Sequence, residues 1–163
     1  MNYIGFSGFD KLAAGSLAQV YAACRDVPGA LIFDPDTGRV VDIDPRHPPS
    51  DESARPGRPR LGVVAREVTL LPRHWDWLAA QPGGASVALR KLVEEARKDP
   101  RQATRAARDA LYRFMTAIVG NAPGYEEAIR ALYAGEREEF IAHTEAWPPD
   151  IRAAMEAMSG SVF

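Results

Sequence analysis

Val63-Val64-Ala65-Arg66-Glu67-Val68-Thr69-Leu70-Leu71-Pro72 is the stretch on which the reading of this chain turns. β-Branched and apolar residues from Val63 to Leu71 predict a strand. Pro72, pre-set for a first helical position, ends it and opens a helix over Arg73 to Gln81. Pro82-Gly83-Gly84 closes that helix. Ser86 is expected to cap a second one, in which Leu89, Leu92, Val93 and Ala96 share a face before Asp99-Pro100 stops it. A strand of nine residues standing alone between a linker and two helices has no neighbour in sequence to pair with. Pairing with the same strand of a second chain solves this, as a two-stranded antiparallel ribbon. The DNA major groove admits such a ribbon as readily as a helix.

Working outward, residues 45–62 hold five of the 13 prolines, which predicts an extended linker. Residues 1–44 read as a small β-α-β-β domain. Tyr3, Ile4 and Phe6 mark a first strand, and Gly15-Ser16 precedes a helix to about Arg25 with Leu17, Val20, Tyr21 and Cys24 on one face. Leu31-Ile32-Phe33 and Val40-Val41-Asp42-Ile43 are strands joined by Asp34-Pro35-Asp36-Thr37-Gly38, a hairpin turn with Gly38 placed for positive φ. Residues 63–99 form the strand-helix-helix module. Residues 100–163 read as a C-terminal helical bundle, with helices over 101–119, 125–134, 136–145 and 149–158. The expected fold class is α+β.

The chain has 163 residues, of which 46% are hydrophobic and 26% charged, with a net charge of −2. That composition excludes global disorder, and no apolar run approaches the ~20 residues of a membrane helix. A single cysteine, Cys24, and no visible secretory signal point to a reducing cytoplasm without membrane attachment. The small net charge hides a gradient: residues 1–54 sum to −4, residues 55–113 to +7 and residues 114–163 to −5. A basic middle between acidic flanks points to a polyanion partner; the competing reading is that the middle neutralises its own flanks.

Positive signs of catalysis are lacking. His47, His74 and His143 fall in no ligand-spacing motif, and Glu139 with His143 at i, i+4 needs a third ligand to hold a metal. Asp34, Asp36, Asp42 and Asp44 cluster at one hairpin in no recognised cation-loop spacing. Cys24 reads as core. Trp75 reads as core too, Trp77 projects from another face of its helix, and Trp147 fits a corner between helices. No phosphate loop, dinucleotide fingerprint or nucleophile motif occurs. The expectation is therefore no enzyme, no metal and no cofactor.

Four features make residues 63–98 resemble the ribbon-helix-helix family of dimeric DNA-binding proteins. They are the strand ending Leu71-Pro72, apolar Trp75 and Leu78, the Gly83-Gly84 turn, and Ser86-Val87-Ala88-Leu89-Arg90-Lys91-Leu92-Val93. The resemblance implies that outward strand side chains read bases and that the backbone around Gly84, Ala85 and Ser86 holds a phosphate. A helix N-terminus favours an anion on physical grounds as well. Two strand frames stay open. One turns Arg66, Val68 and Leu70 to the groove; the other turns Glu67, Thr69 and Leu71. Just upstream, Arg55-Pro56-Gly57-Arg58-Pro59-Arg60 resembles the core of an AT-hook, an extended arm that lays arginines in a narrow minor groove. The chain as a whole resembles the bacterial domain of unknown function family 2239. That likeness rests on Gly57-Arg58-Pro59, the run Arg66 to Leu78, Gln81 to Ser86, Tyr112-Arg113-Phe114-Met115 and Ala146-Trp147-Pro148.

The expected function is that of a cytoplasmic, homodimeric, double-stranded-DNA-binding transcriptional regulator. It would place a β-ribbon in the major groove and an arginine arm in the minor groove. An antitoxin is a variant of the same idea. The expected DNA-binding residues are Arg55, Arg58, Arg60, Arg66, Val68, Thr69, Arg73, Gly84 and Ser86, with Arg90 and Lys91 as further backbone contacts. The acidic C-terminal helices would dimerise, sense a ligand or engage a protein partner. The alternative is a protein-interaction or scaffold module that uses the same ribbon to dimerise without nucleic acid.

Overall fold

The computed structural model describes residues 2–50, 66–160 and 162–163. The chain divides into two compact units, Met1–Asp51 with Ala103–Phe163, and Glu52–Gln102. The first is α+β. Its strands are β1 (Tyr3–Ser7), β2 (Asp10–Gly15), β3 (Leu31–Asp34) and β4 (Arg39–Val40), in the spatial order β2-β1-β3-β4, all antiparallel.

Alternation along the strands decides what lies on each face of the sheet. Ile4, Phe6 and Phe33 point to one side, into a core with Leu111, Phe114, Met115, Leu132, Ile151 and other side chains of the C-terminal helices. Gly5 and Ile32 point to the other, where α1 (Leu17–Cys24) lays Val20 and Cys24 on the sheet. A Cβ on Gly5 would run into the Cys24 Sγ, so glycine there lets α1 sit close. Ser16 caps α1 reciprocally: its Oγ accepts from the Gln19 N–H at 3.3 Å and its own N–H donates to Gln19 Oε1 at 2.9 Å, the capping-box arrangement.

The expected order β-α-β-β lacks one strand. β2 pairs with β1 across the Gly8-Phe9 turn and makes the order β-β-α-β-β. Its sequence, Asp10-Lys11-Leu12-Ala13-Ala14-Gly15, has no apolar alternation because it is an edge strand that buries little. The third expected strand is shorter than its apolar run. β4 covers Arg39 and Val40, after which the Val41 N–H still donates to the Ile32 carbonyl at 2.7 Å.

The Asp34–Gly38 turn forms as its residues predict. Asp34 accepts from the Asp36 N–H and the Thr37 hydroxyl, both at 3.0 Å, and Gly38 takes φ 66°. Its tip is fixed to the helix over Pro100–Val119 (α4), where Arg113 donates to the Thr37 carbonyl at 3.0 Å.

Four helices complete this unit: the part of α4 (Pro100–Val119) from Ala103 onward, α5 (Tyr125–Ala134), α6 (Arg137–Thr144) and α7 (Pro149–Met158). All four stand where apolar periodicity and the Gly120–Gly124 turn place them. Phe6, Phe33 and Phe114 meet at centroid distances of 5.1 to 6.4 Å, a geometry of aromatic rings that adds to their burial. Trp147 is buried at the α6–α7 corner and its indole N–H donates to the Pro123 carbonyl at 2.8 Å. Arg108 ties the chain end down, donating to the Val162 and Tyr133 carbonyls at 3.1 and 3.2 Å.

Candidate nucleic-acid interface

The second unit is built around a helical hairpin, α2 (Pro72–Ala79) and α3 (Gly84–Arg97). Leu71 sits at the N-cap of α2 in extended conformation, φ −67° and ψ 149°, and Pro72 supplies the first helical position, where the missing N–H costs nothing. The reversal uses two successive left-handed glycines, Gly83 at φ 86° and Gly84 at φ 74°. With Gly83 turning the chain straight into the helix, Gly83 is the N-cap of α3, and Ser86 lies inside the first turn rather than at the cap. The hairpin buries Leu78 and Ala88. Trp75, expected in the core, is 41% exposed, and Trp77 is 53% exposed, because α3 covers too narrow a stripe of α2 to shelter both rings.

Over its described part, Arg66 to Leu71, the strand expected from Val63 to Leu71 is not formed with any described strand. Residues 63–65 lie outside the described residues, and Arg66 to Leu71 carry no strand pairing. No strand of the described residues is paired with them, and a ladder needs a partner. Leu70 is half-buried and the other five positions are exposed, so neither alternation frame is imposed on this segment. Leu70 joins His74, Trp77, Leu78, Leu89 and Leu92 around an apolar cleft of about 240 Å³.

Of the expected DNA-binding residues, Arg55, Arg58 and Arg60 lie outside the described residues. Arg66, Val68, Thr69 and Arg73 are exposed before and at the start of α2. Gly84 and Ser86 share the first turn of α3, and no side chain caps that turn. The Arg90 guanidinium lies over the same turn, its Nε donating to the Ser86 carbonyl at 3.1 Å. The Gly84 N–H is taken by the Gln81 carbonyl at 2.9 Å; the helix dipole, the N–H groups that follow in the first turn and a guanidinium at one place suit a phosphate. Arg97, Lys98 and Arg101 are exposed as well; the excess of cations over residues 55–113 is the signal that points to them. Among the described residues from 66 to 102, Arg97 is the one basic side chain in an ion pair, at 3.2 Å from Glu94 of the same helix.

Elsewhere the chemistry is spoken for. Among the described residues no three His, Cys, Asp or Glu side chains converge as a metal site. Asp34 is occupied by its own turn. The Arg46 N–H and then His47 hold the Asp44 carboxyl below its usual range. His143 lies 3.7 Å from Glu139. Cys24 is buried, and burial pushes its thiol up. A cleft of about 510 Å³ between α6 and α7, with Arg137, Phe140, Ile141, Arg152 and Phe163 in its walls, is open to a small ligand. Among the described residues no helix is long and apolar enough to cross a membrane.

What these residues define is an α+β protein that carries a helical hairpin whose cations, Arg97 excepted, are in no ion pair among the described residues. The chain belongs to the family described as an uncharacterized protein conserved in bacteria (DUF2239), whose model matches residues 2–159. No curated protein and no solved structure matches it. The ribbon-helix-helix resemblance of residues 63–98 gains no support from these comparisons.

Proposed function

We propose that this protein is a cytoplasmic, homodimeric DNA-binding regulator whose middle segment holds the duplex. One observation carries the reading. The segment is strongly basic, and its described cations from Arg66 to Arg101 are exposed and, Arg97 excepted, in no ion pair among the described residues. Unpaired exposed cations are what releasing counterions from phosphates requires. In this reading Arg55, Arg58 and Arg60 enter the minor groove, either Arg66 and Val68 or Thr69 face the major groove in a ribbon formed with a second chain, and Arg73, in the first turn of α2, adds a contact to the DNA backbone. Gly84 and Ser86 hold a backbone phosphate through the first turn of α3. The exposed Val68, Leu71, Trp75 and Trp77 favour the second reading, a protein-interaction module, if DNA is not the partner.

Fluorescence anisotropy with mixed-sequence duplex DNA, comparing wild type with Arg58→Ala/Arg60→Ala, tests the proposal. Two lost minor-groove contacts should weaken binding by roughly tenfold or more at low salt. Equal binding by the two proteins would remove the arm from the account, and no binding by either would leave the interaction-module reading.

A further inference from the structure

The cleft between α6 and α7, about 510 Å³ in volume, is of a size that takes a small molecule. One face of each helix lines it. On α6, Arg137, Ile141 and Glu145 follow one another at every fourth position, with Phe140 and Thr144 beside them; α7 contributes Arg152, Met155 and Glu156, spaced i, i+3, i+4. The floor is apolar. Phe140 and Met155 are buried, and the Phe163 ring lies against Phe140 at a centroid distance of 5.5 Å.

The rim carries both signs of charge, and those charges are unused. Arg137, Arg152, Glu138, Glu145 and Glu156 all line the cleft, and among the described residues none of them is in an ion pair. Two of them stand together at the end where the helices meet. Glu145 is the C-cap of α6, and the Arg152 Nε donates to the Trp147 carbonyl at 3.1 Å, which holds that guanidinium at the Trp147 corner and leaves its Nη groups for another acceptor. Thr144, the one buried polar side chain among the described residues, lines the same cleft. Its hydroxyl faces the Phe140 and Ile141 carbonyls at 2.9 and 3.2 Å as a donor, so the lone pairs of its oxygen are left for a donor from outside the protein.

We propose that this cleft binds a free α-amino acid with a large apolar side chain. The Arg152 Nη groups take its carboxylate. Glu145 and the Thr144 oxygen accept from its ammonium, and its side chain runs over Phe140, Met155 and Phe163. Charge selects this class of ligand. A purely anionic molecule would meet three carboxylates and a purely cationic one two guanidiniums, whereas a zwitterion finds a partner for each of its charges. The site is independent of DNA and of any ribbon.

Equilibrium dialysis of the full-length protein against L-phenylalanine and L-leucine, with no DNA present, tests it. At least one of the two should bind saturably. Its N-acetyl derivative, its decarboxylated amine and glycine, which lack the ammonium, the carboxylate and the apolar side chain in turn, should each bind at least about tenfold more weakly. Glu145→Gln, an exposed substitution that keeps size and removes charge, should weaken binding of the amino acid to a similar degree while leaving the thermal unfolding midpoint unchanged. No saturable binding of either amino acid, binding of the single-charge analogues as tight as that of the parent, or a Glu145→Gln protein that binds like wild type would each overturn the proposal.

Discussion

Gly38 shows how much one residue decides. It ends the Asp34 turn at φ 66°, and a Cβ there would run into the Ala110 carbonyl of α4. Gly38→Ala therefore meets backbone strain and a rigid obstacle together, and should lower stability by about 2–3 kcal/mol in urea unfolding. A loss below about 0.5 kcal/mol would mean the hairpin tip does not seat on α4 as described. The positive φ was legible from the turn sequence, whereas the close approach of α4 was not. A turn is dictated by neighbours in sequence, but the helix that meets it is 72 positions away.

Cys24 gives a second prediction at this scale. Desolvation raises its pKa, so holding the thiol neutral supports the fold fully below the ordinary thiol pKa. That support is lost as pH rises through the raised folded value. Native protein should react with a thiol reagent far more slowly than unfolded protein, and Cys24→Ala should flatten the alkaline limb of the stability profile. Rapid native labelling would contradict the burial.

At the scale of elements, Phe114 joins the sheet to the C-terminal helices through its contacts with Phe6 and Phe33. Phe114→Ala should cost about 3–5 kcal/mol, read as a lowered midpoint in thermal or urea unfolding. Asp150 acts at the sheet edge, where its Oδ2 accepts from the Lys11 N–H at 2.9 Å. Asp150→Ala should cost about 1 kcal/mol and raise hydrogen exchange at Lys11 without changing the helical signal.

Helices were the readable elements. Their faces repeat every three or four residues and their stops are written as proline and glycine, so α1 and α4 to α7 lie where periodicity puts them. β2 was not readable, because Ala13-Ala14-Gly15 has no strand character and pairs only because β1 needs a neighbour. The segment before Pro72 shows the converse: its β-branched residues favour a strand, yet within the chain no described strand pairs with Arg66 to Leu71. Ser86 fails as a cap for a local reason, since two left-handed glycines begin the helix ahead of it.

For the whole molecule, the first and last segments share one core, with Ile4, Phe6 and Phe33 packed among α4 to α7. Each segment's apolar face was visible in the sequence, but which face covers which was not. Periodicity marks a surface to be buried and carries no address for its partner. The candidate interface was legible as charge, because +7 over residues 55–113 is a property of the segment however it folds. The exposure of its described cations from Arg66 to Arg101 needed the structure.

That charge is the central claim, and its most direct test is the salt dependence of binding. The measurement is the dissociation constant of wild type for mixed-sequence duplex DNA at several salt concentrations between about 50 and 200 mM. A dimer that neutralises four to eight phosphates should give a slope of log Kobs against log salt of about −4 to −7. A flat slope, or no binding at the lowest salt, would contradict the account and leave the exposed hairpin as a protein-interaction surface.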